Sequence, residues 1–142
     1  IAVVDLKKAF DAYDKTKESQ KKLEDKISAK KKEAEVKKKE IETLQSNFDR
    51  QSAMLSEDGK KAKQGEIDLK KADYTKYSND IVQELAVEER KLTEDIVNDI
   101  YDVVKSVASE SKYEMVFDKK SLLVGGDDIT DKVIKKLGEK KK

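Results

Sequence analysis

Few residues in this chain have the types and spacing to do chemistry. Asp127 and Asp128 are paired carboxylates, the usual start of an acid–base site or a hard-cation site. They precede Ile129-Thr130 and an amphipathic run, so helix capping explains them better, and calcium loops space their ligands differently. Gly125-Gly126 lacks the spacing and the lysine of a phosphate loop. The chain has no His, Cys or Trp. Histidine general bases, thiolate nucleophiles and the usual zinc sites are thereby excluded. No catalytic residue, metal site or cofactor is assigned, and the chain does not read as an enzyme.

The elements that would position any surface are easier to read. Charged residues make up 44% and apolar residues 36% of the chain, too few apolar groups for one large core. Ala, Glu, Lys, Leu and Arg supply close to half of it, a composition of long helices and coiled coils. Pro is absent, and residues 1–58 and 66–124 contain no Gly either. Tyr13, Gln20, Ile27, Ala34, Ile41, Phe48 and Leu55 recur at intervals of seven. That step predicts a helix from about Lys15 that pairs with a partner helix. At the companion positions only Leu23 and Leu44 are apolar; Thr16, Lys30, Lys37 and Gln51 are polar, so the seam is thin. Ser56 is a plausible N-cap for a second helix running to about Ser111, with Ile81, Leu92 and Val103 eleven apart, like Leu85, Ile96 and Val107. Apolar residues on most faces of Asp95–Ala108 require burial in a core.

Ile1–Val4 reads as a buried strand. Tyr113–Phe117 and Ser121–Val124 read as a hairpin of strands, and Ile129, Val133, Ile134 and Leu137 as the apolar side of a last helix ending in a frayed Lys140–Lys142 tail. The expected fold class is α+β, mostly α. Residues 1–14 and 96–142 form a β-containing body, and residues 15–95 form a long antiparallel helical hairpin with its tip near 56–65. So few strands per chain leave open edges, which favours a small β-barrel body closed by oligomerisation. Ile1, Val3, Met115, Phe117, Leu122 and Val124 are the expected subunit-body residues.

Net charge is only +1, which argues against a nucleic-acid binder. The sign is nonetheless uneven: residues 21–40 carry +4, 59–76 carry +3 and 77–111 carry −6. The basic outer half of the hairpin suits acidic partners or anionic membrane surfaces. The longest apolar run, Ile1–Val4, cannot span a bilayer.

Strand, helical hairpin, further strands and a terminal helix, in this order, resemble the Skp/OmpH family of periplasmic chaperones. The resemblance is carried by Ile1-Ala-Val-Val-Asp5, Leu55-Ser-Glu57, Ser106-Val-Ala-Ser109, Tyr113-Glu-Met-Val-Phe-Asp118 and Asp128-Ile-Thr-Asp-Lys-Val-Ile-Lys-Lys-Leu137. It implies a homotrimer whose β-barrel body carries three helical tentacles around a cavity. There, unfolded outer-membrane proteins would be held without ATP, in the periplasm, by a mature form whose signal peptide has been removed. The family is often strongly basic, and this chain departs from that. No residue cluster supports carrying over lipopolysaccharide binding. A holdase needs extended surface with scattered apolar contacts rather than one shaped pocket. Phe48, Met54, Leu55, Ile67, Leu69, Tyr74 and Tyr77, with only partial cover from the thin seam, are the expected client-binding residues. The rival reading is a structural or tethering coiled coil with one defined partner; its seam should be apolar at both heptad positions.

Overall fold

The computed structural model describes residues 1–140; Lys141 and Lys142 of the expected tail lie outside the described residues. The chain begins with strand β1 (Ala2–Val4), then helices α1 (Leu6–Ala12) and α2 (Asp14–Gln51). A 3-10 turn at Ser52–Met54 leads to α3 (Glu57–Glu110). Strand β2 (Val116–Asp118), a 3-10 turn (Lys119–Ser121), strand β3 (Asp127–Asp128) and helix α4 (Thr130–Lys140) complete it. These elements pack as two units: residues 1–23 with 88–142, and residues 24–87.

The first unit is built on a three-stranded sheet of order β2-β1-β3. Both outer strands run parallel to β1, with Ala2 opposite Val116 and Asp127, and Val3 opposite Phe117 and Asp128. This corrects the expected antiparallel hairpin of 113–117 with 121–124. The Asp118 carboxylate accepts from Lys120 N at 3.3 Å and starts the 3-10 turn, so the chain leaves the sheet before Leu122. It returns only after Gly125 and Gly126, whose φ of 94° and 88° suit glycine alone. A Cβ on Gly126 would stand 2.8 Å from Val3 Cγ1, so β3 also needs glycine here to approach β1. The other outer strand is therefore β3, Asp127–Asp128, a pair whose polarity carries no strand pattern.

A short helix absent from the sequence reading precedes the long one. Asp5 caps α1 by accepting from Lys8 N at 3.0 Å, while its own amide donates to Thr130 Oγ1 at 2.9 Å, tying the start of α1 to the start of α4. Tyr13 then adopts an extended backbone, ψ 124°, and breaks the helix. That break turns its ring into the core, where it is buried with Ala2, Val4, Ala9, Ile96, Ile100, Val103, Val107, Ile129, Val133 and Leu137. Each large aliphatic group buried there contributes about 1.5–3 kcal/mol. The expected core face of Asp95–Ala108 is present, with Ile96, Ile100, Val103 and Val107 buried and Tyr101 exposed.

Helix α3 ends in a Schellman motif. Tyr113 N donates to Ala108 O at 2.8 Å and Lys112 N to Ser109 O at 3.3 Å, with Lys112 left-handed at φ 58°. Lys140 closes the chain's described part not as a frayed end but in ion pairs with Asp99 at 3.4 Å and Asp102 at 3.9 Å.

In the second unit α2 and α3 pair antiparallel. The chain reverses at Ser52–Ser56, and Ser56 Oγ accepts from Gly59 N at 3.0 Å as the N-cap of α3. Glu57 and Asp58 occupy the first turn, where the helix dipole favours acids. Gly59 and Gly65 lie inside the helix.

Candidate functional site

Ile27, Ala34, Ile41 and Phe48 are half-buried along α2 of the second unit, on the stripe that the seven-residue step marks, and Leu55, just past the 3-10 turn, is half-buried too. Across from them Tyr74, Tyr77, Ile81 and Leu85 are half-buried, and Ile67, 1% exposed, is fully enclosed. Among the described residues of this unit, Ile67 is the sole apolar side chain to be fully buried. The seam is thus occupied over its length but dry at one point only.

Polar contacts fill the gap. Lys26 pairs with Glu84 at 3.3 Å, and Lys70 with Glu40 at 2.8 Å. The Tyr77 hydroxyl donates to the Glu33 carboxylate. Lys37 Nζ stands 4.9 Å and Lys30 Nζ 6.0 Å from the centre of the Tyr77 ring, within cation–π range. The hydrogen bond to Glu33, together with desolvation, pushes the Tyr77 phenol up to about 12. Its bond to Lys70 holds Glu40 below the usual carboxylate range, and Lys70 is raised in return.

The seven expected client-binding residues therefore divide. Phe48, Leu55, Ile67, Tyr74 and Tyr77 belong to the helix–helix seam. Met54, 89% exposed at the turn, and Leu69, 65% exposed on α3, face solvent. Val36, Val82 and Val87 are also exposed and were not singled out from the sequence. Val36 stands outside both heptad stripes of α2, and Val82 and Val87 outside the eleven-residue series of α3, and that offset is the signal the sequence offers.

The six expected body residues divide as well. Val3 is buried in the central strand. Ile1, Met115, Phe117 and Val124 are exposed, and Leu122 is half-buried. Leu123, wholly exposed, joins this apolar group and was missed because one residue's shift in a loop changes which side chain points out. These residues border a sheet of three short strands whose two outer strands each keep an unpaired edge within the chain.

The first unit has one charged node of note. Asp99 accepts from Tyr13 Oη at 2.8 Å and Lys15 Nζ at 2.9 Å. Burial alone would raise its carboxyl, but these hydrogen bonds and nearby Lys140 hold it below the ordinary value. Among the described residues, no group of His, Cys, Asp and Glu is placed to hold a metal ion, and no helix is long and apolar enough to cross a membrane.

Comparison with known families decides the assignment. The model of the family described as outer membrane protein (OmpH-like) matches residues 1–137. The chain belongs to the OmpH-like family. A crystal structure named as an OmpH-like outer membrane chaperone, from Caulobacter crescentus CB15, superposes with a TM-score of 0.90 at 14% identity. The match covers 98% of this chain and 83% of that one. At that identity the likeness is one of fold. No curated protein sequence gave a match. Two close contacts of the first unit demand particular residues, a glycine at 126 against Val3 and a side-chain acceptor at Thr130 for the Asp5 amide.

Proposed function

We propose that the protein is an ATP-independent holdase of the periplasm. It binds unfolded outer-membrane proteins in a cavity between the helical hairpins of a homotrimer and prevents their aggregation. The observation that carries this reading is the state of the second unit. Its hairpin buries a single apolar side chain, Ile67, while Val36, Met54, Leu69, Val82 and Val87 stay exposed among charged neighbours. Such a surface offers many weak contacts and no shaped pocket, which suits clients of varied sequence. Three copies turn weak contacts into avidity.

Trimer formation is supported by the first unit. Ile1, Met115, Phe117, Leu123 and Val124 are exposed beside unpaired strand edges, an arrangement that water does not favour. A second chain covering them would complete a β-barrel body. The Lys-rich stretches of α2 and α3 would add attraction to acidic clients and to anionic membrane surfaces at low salt.

The test is dilution of a denatured outer-membrane β-barrel protein into ATP-free buffer with the chaperone in several-fold trimer excess. Turbidity should be suppressed, and light scattering on the eluting protein should give a trimer mass. Unchanged turbidity would sink the holdase reading, and a monomer at micromolar concentration would sink the trimer.

A further inference from the structure

Three cross-helix polar contacts of the second unit share one spacing. Lys26, Glu33 and Glu40 step by seven along α2, and their partners Glu84, Tyr77 and Lys70 step by seven in the opposite direction along α3. Matching steps on two antiparallel helices make a ladder, with one polar rung every second turn along one flank of the pair. On α2 the apolar stripe beside the ladder is thinnest over the same stretch. Between Ile27 and Ile41 its stripe holds only Ala34, whose methyl group buries little area. The companion positions there are Lys30 and Lys37, and both ammonium groups lie over the Tyr77 ring. Towards the turn the packing is apolar again, through Leu44, Phe48, Leu55 and the enclosed Ile67.

We propose that this ladder is an electrostatic latch. It, rather than apolar packing, holds α2 to α3 over residues 26–40 and 70–84, so that this stretch opens locally as ionic strength rises while the apolar turn end stays paired. The outer rungs are exposed enough for salt to act on them: side-chain exposure is 32% and 51% for Lys26 and Glu84, and 42% and 50% for Lys70 and Glu40. Mobile ions screen pairs of that kind efficiently. The middle rung differs, because Tyr77 is uncharged and anchors through its ring as well as its hydroxyl. A Lys/Glu-rich helix released from its partner loses the packing that sustains it and frays. Opening is therefore visible in the backbone amides. None of this depends on what the hairpin holds.

The test is amide hydrogen exchange on the full chain at low and high NaCl, with pH fixed. Peptides from 28–40 and 70–84 should exchange about fivefold faster at high salt, the factor expected when two exposed ion pairs are screened. Peptides from 44–67 should not change. Lys70→Gln should speed exchange at low salt and reduce the salt response, and Glu40→Gln added to it should do no further harm, since the pair is already broken. Tyr77→Leu, which keeps an apolar side chain in the seam, should speed exchange at both salt concentrations. The proposal is overturned if salt leaves 28–40 and 70–84 unchanged, if 44–67 responds equally, or if Lys70→Gln keeps the full salt response.

Discussion

Tyr13 Oη donates to the Asp99 carboxylate at 2.8 Å across 86 residues of sequence, joining the α1–α2 junction to α3. Tyr13 is 4% exposed, so its hydroxyl needs an acceptor supplied by the protein. Asp99 needs donors for the same reason, and Lys15 and Lys140 complete the set. Tyr13→Phe should cost about 1 kcal/mol, the net worth of a hydrogen bond whose other partner keeps alternatives. Asp99→Ala should cost more, about 2–3 kcal/mol, because it leaves the Tyr13 hydroxyl without its acceptor. Urea titration of the two variants checks the order; equal losses would mean that the phenol finds another acceptor.

The same pair sets an alkaline limit. Burial first, then the hydrogen bond to Asp99, pushes the Tyr13 phenol up to about 12, above the unfolded value near 10. Between these values the folded chain keeps a proton that the unfolded chain has lost. The contribution is therefore complete below about pH 10 and disappears as pH climbs towards 12. Phenolate absorbance should rise with unfolding in that window. Tyr13→Phe should show a shallower loss of stability there.

Asp128 sets an acid limit with the opposite sign. It accepts from Thr130 Oγ1 at 2.5 Å, Thr130 N at 3.0 Å and Lys119 Nζ at 3.0 Å, and its carboxyl falls to about 2. The unfolded value is near 3.9. Its contribution is present above that value and drains away as pH falls to about 2. Asp128→Asn keeps an acceptor for Thr130 but loses the charge that faces Lys119, so it should lower stability at neutral pH by about 1 kcal/mol or less and flatten the drop between pH 4 and 2. An unchanged acid profile in the variant would remove Asp128 from the account.

Lys112 is a strained position open to improvement. A lysine at φ 58° carries the left-handed penalty that glycine avoids, here at the C′ position of a Schellman motif. Lys112→Gly should raise stability by about 0.5–1 kcal/mol after the cost of a more flexible unfolded chain. At Gly126 the reverse holds, since Ala there would bring both the φ of 88° and a 2.8 Å contact with Val3 Cγ1. Gly126→Ala should lower stability by about 2 kcal/mol or more. Thermal melts of the two single variants should move in opposite directions.

What the sequence made legible follows from how each element is specified. The seven-residue step from Tyr13 to Leu55 is repeated often enough to reveal α2, and Ser56 with Glu57 and Asp58 marks the start of α3. Periodicity could not reveal α1, because Leu6–Ala12 is seven residues long and the break at Tyr13 carries neither Gly nor Pro. The sheet was misread for a related reason. Strands of two or three residues show no alternation, and β3 is Asp127–Asp128, held by backbone bonds such as Ile129 N to Val3 O at 2.9 Å. The expected client-binding residues share one feature, an apolar side chain in a thin seam. That criterion selects residues that pack, such as Ile67, along with those that do not, such as Leu69, since the two differ only by their angle around α3.

That angle gives the proposed holdase its sharpest test. Replacing Tyr74 and Tyr77 would mix two effects, because both are half-buried in the seam and Tyr77 also binds Glu33. Leu69 and Val87 are 65% and 57% exposed and, at a separation of 18 residues, lie on one face of α3 five turns apart. Leu69→Ser with Val87→Ser removes apolar surface without opening the seam, so the melting temperature and the mass in solution should hold. Surface changes of this kind usually stay within about 0.5 kcal/mol of stability. Client retention should nonetheless weaken several-fold, seen as a higher chaperone concentration for half-suppression of turbidity. Ile67→Ser should behave oppositely, destabilising the hairpin by about 3 kcal/mol through a lost buried side chain and an enclosed hydroxyl. If the Leu69 and Val87 changes leave half-suppression where it was, clients are gripped elsewhere, and the exposed face of α3 is only solvated surface.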